Sequence, residues 1–373
     1  DLDVSANGPD LGSLANFELL QRLSGQAFAV AAKIRHSGDT YECESVEASI
    51  GQLNAFLNAT ISDDASAATI AFRGTAPDAR PVSTLLGIGQ LPEGAFSAEG
   101  SVEMRPGEFE FRDNRMQIGG HRFGADGVLS ATPLRNDSDL RFSAEGPDLK
   151  QLLTAFGIQS FPAKPFTVGG EFRGTPSGFA MRDFAATIGD SNVAGVFTAD
   201  FTGKPTFTGT LSSTYLDLSE RLAAAAEEQE EAGDESDPDG LVFPDEPIDF
   251  GPLETADAKV EVRVDQLVLN ELTINDLVLN AELIDRNLSV GPVAVRSNRG
   301  NLDGSLELRP SNGDYAMHAA LEIDNVRLGL ARREGQDLSL LPALSGKVDV
   351  RGSGQSPHQI MASSNGTIRL RQG

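Results

Sequence analysis

The densest chemistry in this chain is a run of carboxylates. Between Ala223 and Pro247 stand 10 acidic residues and no basic one. Within it, Glu235, Asp237, Asp239, Gly240 and Glu246 match roughly positions 1, 3, 5, 6 and 12 of a calcium-binding loop, with Val242 at the apolar position, so oxygen ligands stand at usable intervals. Against that chemistry, the first position is glutamate, Pro238 and Pro244 interrupt the loop, and Pro247 replaces an exiting helix. Like charges at this density favour a solvated linker, and no metal site is assigned.

Other chemistry is equally thin. His36, His121, His318 and His358 stand far apart, outside any metal-ligand spacing, and read as scattered surface residues. Ser353 lies between Gly352 and Gly354 but lacks the Gly-x-Ser-x-Gly frame of a nucleophile elbow. The pairs Gly87/Gly89 and Gly119/Gly120 lack the spacing of a phosphate-cradling loop. The chain is read as a non-enzyme with no cofactor.

A formal charge of −25 repels phosphate backbones, so nucleic acid is not an expected partner. Cys43 is the lone cysteine and forms no intrachain disulfide. No stretch approaches the roughly 20 apolar residues of a membrane-spanning helix. The chain begins at Asp1 without a signal pattern, and any anchor is expected outside these 373 residues.

The elements that must position these residues are repeated. Pro-Asp, then a strand-opening phenylalanine, then Ile-Gly recur as Pro9, Phe28, Ile50; Pro77, Phe96, Ile118; and Pro147, Phe166, Ile188. The intervals 28−9, 96−77 and 166−147 are all 19, and 50−28, 118−96 and 188−166 are all 22. Copies start 68 and then 70 residues apart, and Arg112-Asp113 recurs as Arg182-Asp183. A fourth copy is expected to open at Asp217-Leu218 and to reach its marker at Val290-Gly291 after an insertion. Each unit reads as a short helix followed by strands. One helix is predicted over 148–156, capped by Asp148, with Leu149, Leu152 and Leu153 on one face and Gly157 ending it.

Period-two alternation marks the strands: Phe28, Val30, Ala32 and Ile34; Val260, Val262 and Val264; Leu277, Leu279, Ala281 and Leu283; Met317, Ala319, Leu321 and Ile323. One face is apolar and the other wet, the pattern of antiparallel meanders. The expected fold is mainly β: an elongated, repetitive antiparallel sheet curled into a groove, with a few short helices. Its expected parts are 1–222, three repeats of about 70 residues plus the helical start of a fourth; 223–250, an acidic linker or insertion; and 251–373, a carboxy-terminal β module.

From Leu253 onward the order of motifs resembles the AsmA family. The matching residues are Val260-Glu261-Val262-Arg263-Val264, Leu288-Ser289-Val290-Gly291-Pro292, Gly300-Asn301-Leu302-Asp303-Gly304 with Leu306 and Leu308, Gly346, Gly352-Ser353-Gly354-Gln355-Ser356, and Asn365-Gly366. Leu241-Val242-Phe243-Pro244 fits the same pattern. The resemblance implies a Gram-negative periplasmic protein attached to the inner membrane, carrying phospholipid toward the outer membrane along an apolar β groove. Its implied partners are phospholipid acyl chains, membranes reached through segments outside this chain, and envelope proteins. The alternating residues expected to line the groove are Phe28, Val30, Ile34, Phe96, Phe166, Val260, Val262, Val264, Leu277, Leu279, Leu283, Met317, Leu321 and Ile323. A structural or adhesive β array, with apolar faces closed on one another, explains the alternation equally well.

Overall fold

Alternation of small and β-branched residues with charged ones dictates half-buried strands, and strands dominate the computed structural model. It describes residues 1–11, 25–80, 82–83, 91–131, 137–154, 158, 161–220, 254–270, 272–297, 299–311, 314–327 and 343–372. The acidic run, and with it the calcium-loop register, lies outside the described residues. No described helix is long and apolar enough to cross a membrane. The chain divides into two compact units, 1–189 and 190–373.

The first unit holds β1 (Leu2–Gly8), β2 (Phe28–Ser37), β3 (Thr40–Ile50), β4 (Leu53–Ser62), β5 (Ala68–Ala76), β6 (Phe96–Arg105), β7 (Glu108–Ile118), β8 (His121–Ser130), β9 (Asp139–Gly146), helix α1 (Leu149–Thr154), β10 (Phe166–Thr175) and β11 (Gly178–Ile188). Each strand pairs antiparallel with its sequence neighbour, an open, curled meander. The 22-residue interval is now physical: Phe28 pairs with Ile50, Phe96 with Ile118 and Phe166 with Ile188 across hairpins. The marker glycines Gly51, Gly119 and Gly189 take φ of 58, 57 and 58°. Their amides donate to the carbonyls of Ala27, Ala95 and Pro165 at 2.8 Å each, closing the same corner three times.

The 19-residue interval has a matching cause. Leu11, Ala79 and Leu149, each two residues after the marker proline, donate backbone N–H to Gln26, Gly94 and Lys164 at 2.9, 3.1 and 2.9 Å. Their side chains are buried, Leu11 against Phe28, Ala79 with Val82 beside Phe96, and Leu149 with Leu152 against Phe166. Asp148 caps α1 as expected, its Oδ1 accepting from the Gln151 amide at 3.0 Å.

One irregularity recurs in each copy. Register slips between Ala31 and Lys33, between Glu99 and Ser101, and between Gly169 and Glu171, because the facing strand carries an extra residue. Ser45, Asp113 and Asp183 stand in those bulges with φ of 51, 53 and 47°. Asp tolerates the left-handed region better than most residues, which accounts for the repeated Arg-Asp pair. Bulges bend the bulged strand and increase its twist, so a fixed bulge in every copy imposes recurrent curl.

The second unit holds β12 (Ser191–Asp200), β13 (Thr206–Ser213), β14 (Leu216–Asp217), β15 (Asp257–Leu269), β16 (Leu272–Ile284), β17 (Asn287–Ser297), β18 (Gly300–Ser311), β19 (Asp314–Arg327), β20 (Ala343–Gly354), helix α2 (Pro357–Ala362) and β21 (Asn365–Gln372). From β15 to β21 it is another antiparallel meander. Among the described residues the antiparallel expectation has one exception: β13 and β14 pair with β15 in parallel. A parallel neighbour needs a crossover connection. Lys204 fastens the start of that junction to Asp257 at 2.6 Å, and this hydrogen bond holds the Asp257 carboxyl below the usual carboxylate range. Val290-Gly291 corrects the expected fourth marker: it lies inside β17, where Val290 pairs with Ala281 and Leu306, and ends no strand.

Gly352-Ser353-Gly354, set aside as a nucleophile elbow, has a packing role. A Cβ on Gly352 would lie 2.3 Å from the Ile360 carbonyl oxygen, and one on Gly354 would lie 2.6 Å from the Gln359 Cβ. The glycines let α2 rest directly on β20, where Ile360 is buried. Gly352→Val should therefore weaken the second unit by about 1–3 kcal/mol in urea unfolding, whereas Ser353→Ala should stay within about 0.5 kcal/mol.

Candidate functional site

In a strand, alternate side chains share a face, and antiparallel pairing extends each into a row across neighbouring strands. In the second unit one row runs Gly195, Leu211, Val262, Leu279, Val293, Gly304, Leu321, Val348, Ile368 without a polar residue. The next runs Val260, Ala281, Val290, Leu306, Ala319, Val350, and a third Ala258, Leu283, Leu288, Leu308, Met317. Ile323 pairs with Leu302 and Gly346 in the row beyond Leu321, and Val264 pairs with Leu277. Nine residues predicted from local alternation in three separate strands thus converge on one face.

The first unit repeats the arrangement. Val30, Ala48, Ala55, Gly74, Ala98, Met116, Phe123, Ala144, Val168 and Ala186 form a row across ten strands. Ile34 belongs to a parallel row with Cys43, Ala59, Ile70, Val102 and Phe111. Most of these side chains are half-buried. Phe28, Phe96 and Phe166 share the face but sit differently: they are 6, 8 and 4% exposed, covered by the segments that open each copy.

The opposite face carries cross-strand ion pairs: Arg73–Glu99 at 3.2 Å, Arg173–Asp139 at 2.8 Å, Arg122–Glu145, and Arg141–Glu171. The Arg141 guanidinium lowers the pKa of Glu171. A broad depression of about 1350 Å³ in the first unit is bordered by Arg73, Arg115, Arg122 and Arg141 among six acids. Most of that charge cancels in pairs, so the depression offers no single-sign field to a charged substrate.

The histidines divide. His36 contacts Asp63 at 3.0 Å and His318 contacts Asp349 at 3.1 Å, while His358 sits on α2. His121 departs from the surface expectation. It is 1% exposed, Nε2 lies 3.0 Å from the Asp148 carbonyl, and the ring lies 6.0 Å from the Phe166 ring. Its register explains this: Leu53 holds the same position in the preceding copy and packs under Ala79. Among the described residues no three His, Cys, Asp or Glu side chains are grouped to hold a metal ion.

Sequence reasoning missed Leu211, Val293, Val348 and Val350, which complete the rows. Their alternation is shorter, yet Val348-Asp349-Val350 carries the same signal.

Comparison with known proteins places these rows in context. The AsmA family model matches residues 172–372. A curated relative from Escherichia coli (strain K12), "AsmA family protein YhjG", is 26% identical over 313 residues, covering 77% of this chain. The chain spans 44% of that relative's length. No solved structure matches.

Proposed function

The chain belongs to the AsmA family, and on that premise we infer that it is a periplasmic segment carrying phospholipid between inner and outer membranes along its apolar sheet faces, in support of outer-membrane biogenesis. The observation that carries this reading is the row from Gly195 to Ile368, in which nine strands contribute no polar side chain.

Such a face must be covered by helix, by sheet or by ligand. A peptide laid on it would bring backbone N–H and C=O groups that find no partner there, since the sheet's own groups are spent in its ladders. An acyl chain brings none. Each methylene removed from water contributes about 0.8 kcal/mol, so a uniformly apolar track holds a tail firmly at every point and lets it slide between equivalent points. Transport of this kind asks for no catalytic residue, cofactor or metal.

The test is native mass spectrometry with lipid extraction on protein purified in mild detergent. Phospholipid should co-purify with the chain. Lipid-free protein that also takes up no phospholipid from vesicles would overturn the reading.

A further inference from the structure

The two long borders of the apolar face in the first unit are unlike. One is closed: Leu11, Ala79 and Leu149 stand 17 residues before Phe28, Phe96 and Phe166 and bury those rings in every copy. Among the described residues the other is aromatic, exposed at the first two copies and half-buried at the third. Thirteen residues after each marker stand Tyr41, Phe109 and Phe179. They share the apolar face, Tyr41 pairing with Ile61, Phe109 with Leu129 and Phe179 with Gly174. Tyr41 and Phe109 are 42 and 37% exposed, and Phe179 stacks on Phe172 at 5.5 Å.

On the footing of the acyl-carrier reading above, we propose that this face is loaded from one side: phospholipid tails enter over the Tyr41–Phe109–Phe179 rim and lie along the strands, methyl ends toward the closed border. Phe96 to Met104, which pairs with rim residue Phe109, spans eight residues, about 26 Å at roughly 3.3 Å per residue. A tail reaches about 15 Å, half the roughly 30 Å of a bilayer's hydrocarbon core, so it fits within that span with its ester end near the rim. Aromatic side chains favour such boundaries between apolar and wet surroundings. Rim aromatics recur every fourth strand, roughly 19 Å apart at about 4.8 Å per strand, so successive copies offer equivalent entries.

The chain has no tryptophan, so single reporters read without background. Phe109→Trp marks the rim and Met116→Trp the deeper row on the same strand, β7. Each variant is loaded with phosphatidylethanolamine brominated either beside the ester group or beside the terminal methyl. Phe109→Trp should be quenched about twofold more by ester-end bromine, and Met116→Trp about twofold more by methyl-end bromine, the depth order of an interface. Equal or reversed depth profiles with lipid bound would overturn one-sided loading while leaving the carrier reading standing. Absence of quenching and of bound lipid in both variants would instead overturn the carrier reading. Phe111→Trp, in the row next to the rim, replaces Phe109→Trp if circular dichroism shows that the latter fails to fold.

Discussion

Placing aspartate at both Leu279 and Leu321 should leave the second unit folded and strip it of co-purifying phospholipid. Both side chains are half-buried members of the row that runs from Gly195 to Ile368, on the two strands that immediately flank Val293 and Gly304. A half-exposed carboxylate stays hydrated in the empty protein and so costs the fold little. An acyl chain laid over it removes that water, and desolvating an unpaired carboxylate costs several kcal/mol. A loss of about 3 kcal/mol corresponds to more than a hundredfold weaker occupancy. Lipid per protein, read by extraction, should fall to background while the circular dichroism spectrum is unchanged. Asn280→Asp alters the opposite face of the same strand and should retain lipid at the wild-type ratio; equal loss in both variants would mean that charge alone, and not the apolar row, is being read.

Phe166→Ala should cost the first unit about 3–5 kcal/mol, the range for emptying a closed aromatic site. Phe166 is 4% exposed and packed by Leu149, Leu152, Val168 and Ile188, so its removal leaves a cavity that α1 must fall into or leave. Phe109→Ala, at a ring 37% exposed, should cost less, about 1–2 kcal/mol, because a third of the ring already lies in water and its removal leaves no closed cavity. Urea midpoints for the two variants check the contrast. Similar losses would mean that the markers are no better sealed than the rim.

That contrast also shows how far local pattern reaches. Val262, Leu279 and Leu321 were legible as one-face residues because a pleated strand alternates with period two whatever surrounds it. Phe166 carried the same alternation and was expected to line the groove, yet it lies beneath Leu149 and Leu152. Its cover comes from seventeen residues upstream, and nothing in the strand itself records the contact. His121 is the same case: its burial follows from where Asp148 folds back, 27 residues later.

By itself the sequence determined the AsmA-like order of motifs, the strand-rich class, the two faces and the repeat of fixed intervals, because pleat period and hairpin length are properties of adjacent residues. Only the tertiary structure decided the parallel pairing of β13 with β15, the bulges at Ser45, Asp113 and Asp183, and which border of the apolar face is closed. Those depend on which distant backbone meets which strand, and the free energy of that meeting is shared between segments that no local period connects.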